Sequence, residues 1–559
     1  MTLNTLEFKN LLTALPALKK IYNSGTLWDY FQEEVDDFLS QKDKTTLDTG
    51  LFLESIYEEV NRLYGEKKAK EVYWQLQHIP IVESGTHLAF LRDYDNPQKE
   101  ETRSLLNQNI LISAALMKKT GAKYHIGFYG SNVSLLHPCG GGYYQLGDSI
   151  FPISNNNKLH KGILYQSDKI SEDYFNETAV LSAQLNLLEK TLDTLLKEEN
   201  CAHKEKYEIT KKIISHLKGA NDLKALNTSF RALKEGKKAL ITETMQELNQ
   251  VSKKLNGYSF DEIENQYQEL KHIFEKNDLQ TLSDQAALHQ TMTLNHIFQN
   301  TGITHLTLDG TEISRKFLIK ALENEQSLWP KIFSNPKTFS LFQQAISGVR
   351  AAWKTDESPF IGISKEKGIT KSFPIKLQKL DHDKETLLHY LRTKQIAPSS
   401  GLICLMAQSA NVLAHGGFFQ STYAEKMKQA FQGFLTKINE HSLAQKLDNM
   451  PVDLMLLSLG VIANTSTKKP LKLSEISKLP EERLAKIINI IPHIGAAKSV
   501  LITAGLLNKY LNETAPGYIE KEVQYNKEKL RTKISSQVPY LIKGFNQVNQ
   551  LNHIHQGRF

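Results

Sequence analysis

Two stretches of the chain concentrate the side chains that could do chemistry. The first is Ser84-Gly85-Thr86-His87, which leads on to Asp93. The second runs from Gly130 to Asp148 and holds Ser131, Asn132, His137, Cys139 and the run Gly140, Gly141, Gly142. Three consecutive glycines let backbone amides approach an anion that side chains would otherwise obstruct. His87 and His137 are of the type that moves protons near neutrality. Cys139 would be a nucleophile if the glycine amides and a neighbouring imidazole favoured its thiolate. The ordinary readings stand beside these: glycine runs make turns, and a lone cysteine packs as a small inert thiol. The glycine run matches neither G-x-G-x-x-G nor G-x-x-x-x-G-K-[ST], so it names no cofactor. His87, His125, His137, Cys139 and Asp148 are metal-ligating types, but His137-Pro138-Cys139 is not a zinc spacing and H-E-x-x-H is absent, so no metal is expected.

Two further stretches carry weaker signals. Leu402 to Leu413 reads as an apolar helix that stops at His415-Gly416-Gly417, and a new helix then places Gln420 and Tyr423 on one face. The glycine pair allows a close backbone approach, to a ligand or simply to another helix. Ile490 to Ile502 resembles the turn of a helix-hairpin-helix module, whose amides contact a DNA phosphate. His493 and Ser499 depart from that pattern, and a plain helix junction is the alternative.

The elements that must hold these residues follow from periodicity. Amphipathic helices fill residues 1–76, where Leu51, Leu53, Ile56, Val60 and Leu63 recur at helical spacing. A short apolar run at 79–83 reads as a strand, 101–119 as a helix stopped by Gly121, and 123–129 as a second strand. Strand, helix, strand is a parallel βαβ unit, which sends both candidate loops to the same sheet edge. Short strands are also expected at 149–153 and 162–166. Leu181, Leu185, Leu188, Leu192 and Leu195 then step by four and three, a heptad seam. The expectation is a long antiparallel coiled-coil arm inserted into the body, with a dimerising coiled coil as the alternative. Ile303 to Leu308 alternates like a strand, and Asp309-Gly310-Thr311-Glu312 opens a helix. From Asp381 the chain reads as mostly helical.

Composition bounds the class. The 559 residues are 40% hydrophobic and 23% charged, which suits a chain of several globular units and excludes wholesale disorder. Three cysteines exclude a disulfide framework and suit a reducing, cytoplasmic setting. A net charge of +7 spread over scattered lysines argues against nucleic acid as a partner. The start of the chain has no signal-peptide pattern, and no apolar run reaches the ~20 residues that span a bilayer, so no membrane association is expected.

The reading is therefore an α/β body with a parallel βαβ sheet, an inserted helical arm and a mainly helical C-terminal region. Its divisions are 1–76 helical, 77–176 and 301–445 the two parts of the α/β body, 177–300 the arm, and 446–559 the helical end. The expected function is a small-molecule enzyme of the group-transfer or ligase type that binds an anionic metabolite at loops 84–93 and 130–148. His87, His137 and Cys139 are its candidate catalytic residues. Asp93, Ser131, Asn132, Gly140, Gly141, Gly142, Gly416, Gly417, Gln420 and Tyr423 are its candidate binding residues. A scaffold acting through the arm, as a homodimer or with a protein partner, is the second reading, and a nucleic-acid binder using 490–502 is the third. The His- and Gly-bearing loop, the long heptad region and the late Gly416-Gly417-x-x-Gln420 segment resemble features of the cysteine-adding enzymes of bacillithiol synthesis. Those enzymes place the coiled coil after the Gly-Gly segment, their loop motif is not matched at Ser84–His87, and no family is assigned.

Overall fold

The computed structural model describes residues 3–39, 47–84, 97–132, 143–146, 149–152, 162–169, 177–198, 201, 203–218, 235–256, 259–275, 279–299, 301–349, 352–416, 420–449, 454, 476, 479–514, 517–524 and 528. Helices dominate, and their starts are written in the sequence. Asn4 opens α1 (Thr5–Ala14) with a capping box, its side chain accepting from the Glu7 amide while Glu7 accepts from the Asn4 amide. Four more helices follow: α2 (Pro16–Asn23), α3 (Leu27–Leu39), α4 (Leu47–Tyr64) and α5 (Glu66–His78).

Strand β1 (Ile81–Ser84), helix α6 (Pro97–Lys119) and strand β2 (Tyr124–Tyr129) form the expected βαβ unit. β1 and β2 pair in parallel, with Glu83 opposite Gly127. A small hairpin, β3 (Tyr143–Leu146) and β4 (Ser149–Pro152), stands apart from that sheet. The region 162–166 is not a strand: it is a turn whose Ile163 makes one isolated bridge to Thr370.

Helices α7 (Glu177–Leu195), α8 (Lys204–Lys218), α9 (Glu235–Asn256) and α10 (Phe260–Glu275) pack on one another, and α10 continues onto α11 (Leu282–Phe298). The seam residues Leu185, Leu188 and Leu192 are fully buried, together with Ile214, Leu217, Ile241, Leu248 and Ile263 from the facing helices. These residues belong to the same contiguous core as the sheet. Among the described residues these helices form a cluster whose core is continuous with that of the body, and the expected inserted coiled-coil arm is not confirmed.

Strand β5 (Thr304–Asp309) lies beside β2 in parallel and runs directly into α12 (Gly310–Glu323). After α13 (Leu328–Phe333) and α14 (Pro336–Ile346), β6 (Glu357–Glu366) and β7 (Ile369–Lys376) form a long antiparallel hairpin. Helix α15 (Lys384–Arg392) leads to β8 (Ile396–Pro398), which pairs with β6. Helix α16 (Ser400–Ser409) ends earlier than expected, and Leu413–Gly416 is a strand, β9, paired in parallel with β1. The described chain after Asp381 is mostly helical, as expected, with two short strands, β8 and β9, between its helices. Asn411 takes a positive φ of 53° between α16 and β9, which ends the helix and redirects the chain into the sheet. Helices α17 (Gln420–Lys437), α18 (His441–Asn449), α19 (Glu481–Ile490) and α20 (Ala496–Thr514) complete the described chain.

The main sheet has the order β5-β2-β1-β9, all parallel. Asn109 and Ser113 of α6 bond to side chains on one face, and Phe52 of α4 meets Phe128 on the other. Among the described residues no helix is long and apolar enough to cross a membrane.

Candidate functional site

The chain moves outward from β1 through β2 to β5 and then returns to the opposite side of β1 with β9. In open parallel sheets ligands bind beyond the carboxyl ends of the strands at such a reversal, and here those are the ends of β1 and β9. Ser84 ends β1 and Gly416 ends β9, and the two are register partners. The Ser84 hydroxyl donates to the His415 carbonyl at 3.3 Å. A Cβ on Gly416 would lie 1.7 Å from the Ser84 carbonyl oxygen, so only glycine lets the strands close at this point. Two candidate stretches 331 residues apart in the chain, one ending in a strand and the other read as a helix corner, therefore leave the sheet side by side.

Of the expected site residues, Ser131, Asn132, Gly416 and Tyr423 are described, and Gln420 is the first residue of α17. His87, Asp93, His137, Cys139, Gly140, Gly141, Gly142 and Gly417 lie outside the described residues. Tyr423 is half-buried against the core. Ser131 is fully buried and does structural work at the end of β2. Its hydroxyl donates to Asp309 Oδ1 at 2.7 Å, and its carbonyl accepts from the Tyr165 amide at 2.9 Å. Asn132 donates to the Pro398 carbonyl at 3.2 Å, while its buried Oδ1 has no hydrogen-bond partner.

Asp309 is read from sequence only as a helix opener, yet it organises the end of β5. It caps α12, accepting from the Thr311 amide at 2.9 Å. Its other oxygen accepts from Ser283 at 2.7 Å, and Tyr129 donates to the Ser283 carbonyl at 2.7 Å. Burial pushes its carboxyl up to about 7 against the pull of the Ser283 and Ser131 hydroxyls, and the Glu59 and Glu312 carboxylates push the same way. Glu312, one turn along, goes the other way. Burial alone would raise it, but Arg315 grips both its oxygens, at 2.9 and 2.7 Å, and holds it down at about 2. Tyr165 donates to Glu312 at 3.2 Å, and burial keeps its phenol well above its ordinary range.

A second buried cluster spans all four strands. Glu83 of β1 accepts from Asn109 at 3.1 Å and lies 3.1 Å from Nε2 of His125 on β2. The same ring nitrogen is 2.8 Å from the Ser113 hydroxyl, which is 3.1 Å from Nε2 of His415 on β9. His125 Nδ1 is 2.8 Å from Nδ1 of His305 on β5, and His305 Nε2 is 2.9 Å from Thr307 Oγ1. One signal for this cluster is readable in the sequence: in β5 the alternate residues His305, Thr307 and Asp309 are polar, whereas a parallel strand buried on both faces is ordinarily apolar throughout.

The Gly495 turn is docked rather than open. The Ala496 amide donates to the Gly25 carbonyl at 3.1 Å, and the Leu27 amide to the Ile494 carbonyl at 2.9 Å. Among the described residues no three His, Cys, Asp or Glu side chains are grouped to hold a metal. No protein-family model, curated protein or solved structure matches the chain.

Proposed function

We propose that the chain is a small-molecule enzyme of the group-transfer or ligase type, with its ligand in the crevice between the ends of β1 and β9. The observation that carries the reading is the reversal of strand order there, with Ser84 and Gly416 in register. The chain continues from Ser84 toward His87 and Asp93, and from Gly416 through Gly417 toward Gln420 and Tyr423. An anionic metabolite suits the site, since glycine-rich strand ends offer backbone amides without side-chain obstruction. His87 and His137 are the proton-transfer candidates and Cys139 the nucleophile candidate, assigned by residue type.

A thermal-shift screen against nucleotides, phosphorylated metabolites and amino acids tests this. Ligand at 100 times its dissociation constant adds about 2.7 kcal/mol, enough for a clear shift. One ligand class should stabilise the protein, and that shift should be lost in His87→Ala and Asp93→Ala but kept in Lys211→Ala on the distant helix α8. A flat screen, or a shift untouched by the crevice variants, overturns the reading.

A further inference from the structure

The histidine cluster lies inside the sheet, on the face covered by α6 and α11. Glu83, His125, His305 and His415 are each no more than 2% exposed. A carboxylate in such a place is costly unless a positive charge or a proton accompanies it. Glu83 Oε2 has no hydrogen-bond partner, although it lies 3.1 Å from His125 Nε2. The three imidazoles are joined by hydrogen bonds, His125 directly to His305 and through the Ser113 hydroxyl to His415. Glu83 is close enough to His125 for the four groups to share their protons as a cluster. With one proton beyond three neutral imidazoles and a carboxylate, the cluster is neutral. With two, it carries a net positive charge in a dry interior.

Glu83 and His125 are the charges that act on His415, and His125 is the one that acts on His305. Among the described residues no further charge acts on His415 or His305. Helix α6 presents the neutral Asn109 and Ser113. Helix α11 presents the Asn295 amide, which brackets the His305 backbone, and the ring of Phe298. A further imidazole on α11, the half-buried His289, is lowered to about 4 by desolvation.

We propose that this cluster of groups is a one-proton store that ties the pairing of β9 with β1 to pH. Acidification loads the second proton only when β9 parts from β1 and frees His415, so acid favours the parted state. Burial lowers His415 to about 4 in the closed sheet, despite the nearby Glu83 carboxylate, while the freed ring titrates at its ordinary value of 6.5. Between those limits the parted state binds more protons than the closed one, and closure weakens as pH falls. The proposal does not depend on which ligand the crevice takes.

Hydrogen exchange of the full-length protein between pH 7 and 4, corrected for intrinsic exchange, reads this directly. Opening at residues 413–416 should rise by up to tenfold per pH unit below about 6.5, the slope of one proton taken up. Amides of α4 should show no such slope. His415→Asn should flatten the β9 slope, while His382→Asn, which removes a half-buried imidazole elsewhere, should leave it in place. A flat wild-type profile at 413–416 overturns the proposal, as does the same slope in α4. A slope that survives His415→Asn overturns it too. Should His415→Asn fail to fold, the contrast between β9 and α4 in the wild type decides alone.

Discussion

The sheet interior and the helices from 177 to 275 are equally dry but are built from opposite materials. The helices bury Leu185, Leu188, Leu192 and Leu248 against one another. The sheet buries Glu83, His125, His305 and Asp309, each tied to named partners. A leucine seam is graded, because removing a few carbons costs in proportion to the volume lost. A buried polar group is closer to all-or-none, because a lost partner leaves a desolvated atom with nothing to bond. The sheet should therefore be the brittle region and the helices the tolerant one.

Glycine substitutions should show the contrast at its largest. Gly416→Ala puts a Cβ 1.7 Å from the Ser84 backbone oxygen, which no side-chain rotation relieves. We expect loss of the native sheet, seen as loss of cooperative thermal unfolding and of near-ultraviolet circular dichroism. Gly433→Ala on α17 meets nothing within 4 Å. It should be neutral or stabilising by up to about 1 kcal/mol, because alanine is the better helix former. Equal behaviour of the two variants would remove the basis for treating β9 as part of the sheet.

How much of this is legible in the sequence follows from the length and partners of each element. β1, β2, β5, α6 and the start of α12 all announce themselves through apolar runs closed by glycine or opened by aspartate. β9 does not, because its four residues continue an apolar stretch that fits a helix equally well. Only the turn at Asn411 and the empty place beside β1 decide the matter. The converse error at 162–166 has the same cause: a short extended-looking run becomes a strand only if a neighbouring strand accepts it. The crevice residues Ser84 and Gly416 each stand out in the sequence, but nothing local to either shows that they meet. The histidine cluster is harder still, since it draws one residue from each of four strands.

The buried ion pair on α12 should show the next largest effect. Arg315→Met leaves Glu312 buried without its fork of two hydrogen bonds and should cost about 3–5 kcal/mol in urea unfolding. Adding Glu312→Leu should recover most of that loss, because the double variant leaves no buried charge unpaired. If the second substitution deepens the loss, packing rather than charge holds this corner together.

Asp309 should behave in the opposite sense to Glu312. Its folded carboxyl titrates at about 7 and its unfolded one at about 3.8, so between those values the native state holds a proton that the unfolded state has released. Its contribution to stability is complete at low pH and is lost as pH rises through 7. The side-chain amide of an Asp309→Asn variant would cap α12 about as well, with Ser283 turning to accept rather than donate. Asp309→Asn should match the wild type near pH 4 and exceed it at pH 8 by up to about 4 kcal/mol. Urea unfolding at the two pH values checks both halves, and a variant that is weaker at pH 8 would show that the carboxylate is held ionised.

The smallest effect lies in the leucine seam and sharpens the comparison most. Leu188 is fully buried in α7 with apolar neighbours. Leu188→Ala should cost about 3 kcal/mol through lost contacts and the cavity left behind. Leu188→Met keeps nearly the same volume on a more flexible stem and should cost less than about 1.5 kcal/mol. In the sheet, a change of similar shape at His125 or Glu83 removes the atom that bonds His305 or Asn109 and cannot be repaired by flexibility. If Leu188→Met proved as damaging as Leu188→Ala, the seam would depend on exact side-chain shape as the sheet depends on its polar partners. The two regions would then differ in chemistry but not in tolerance.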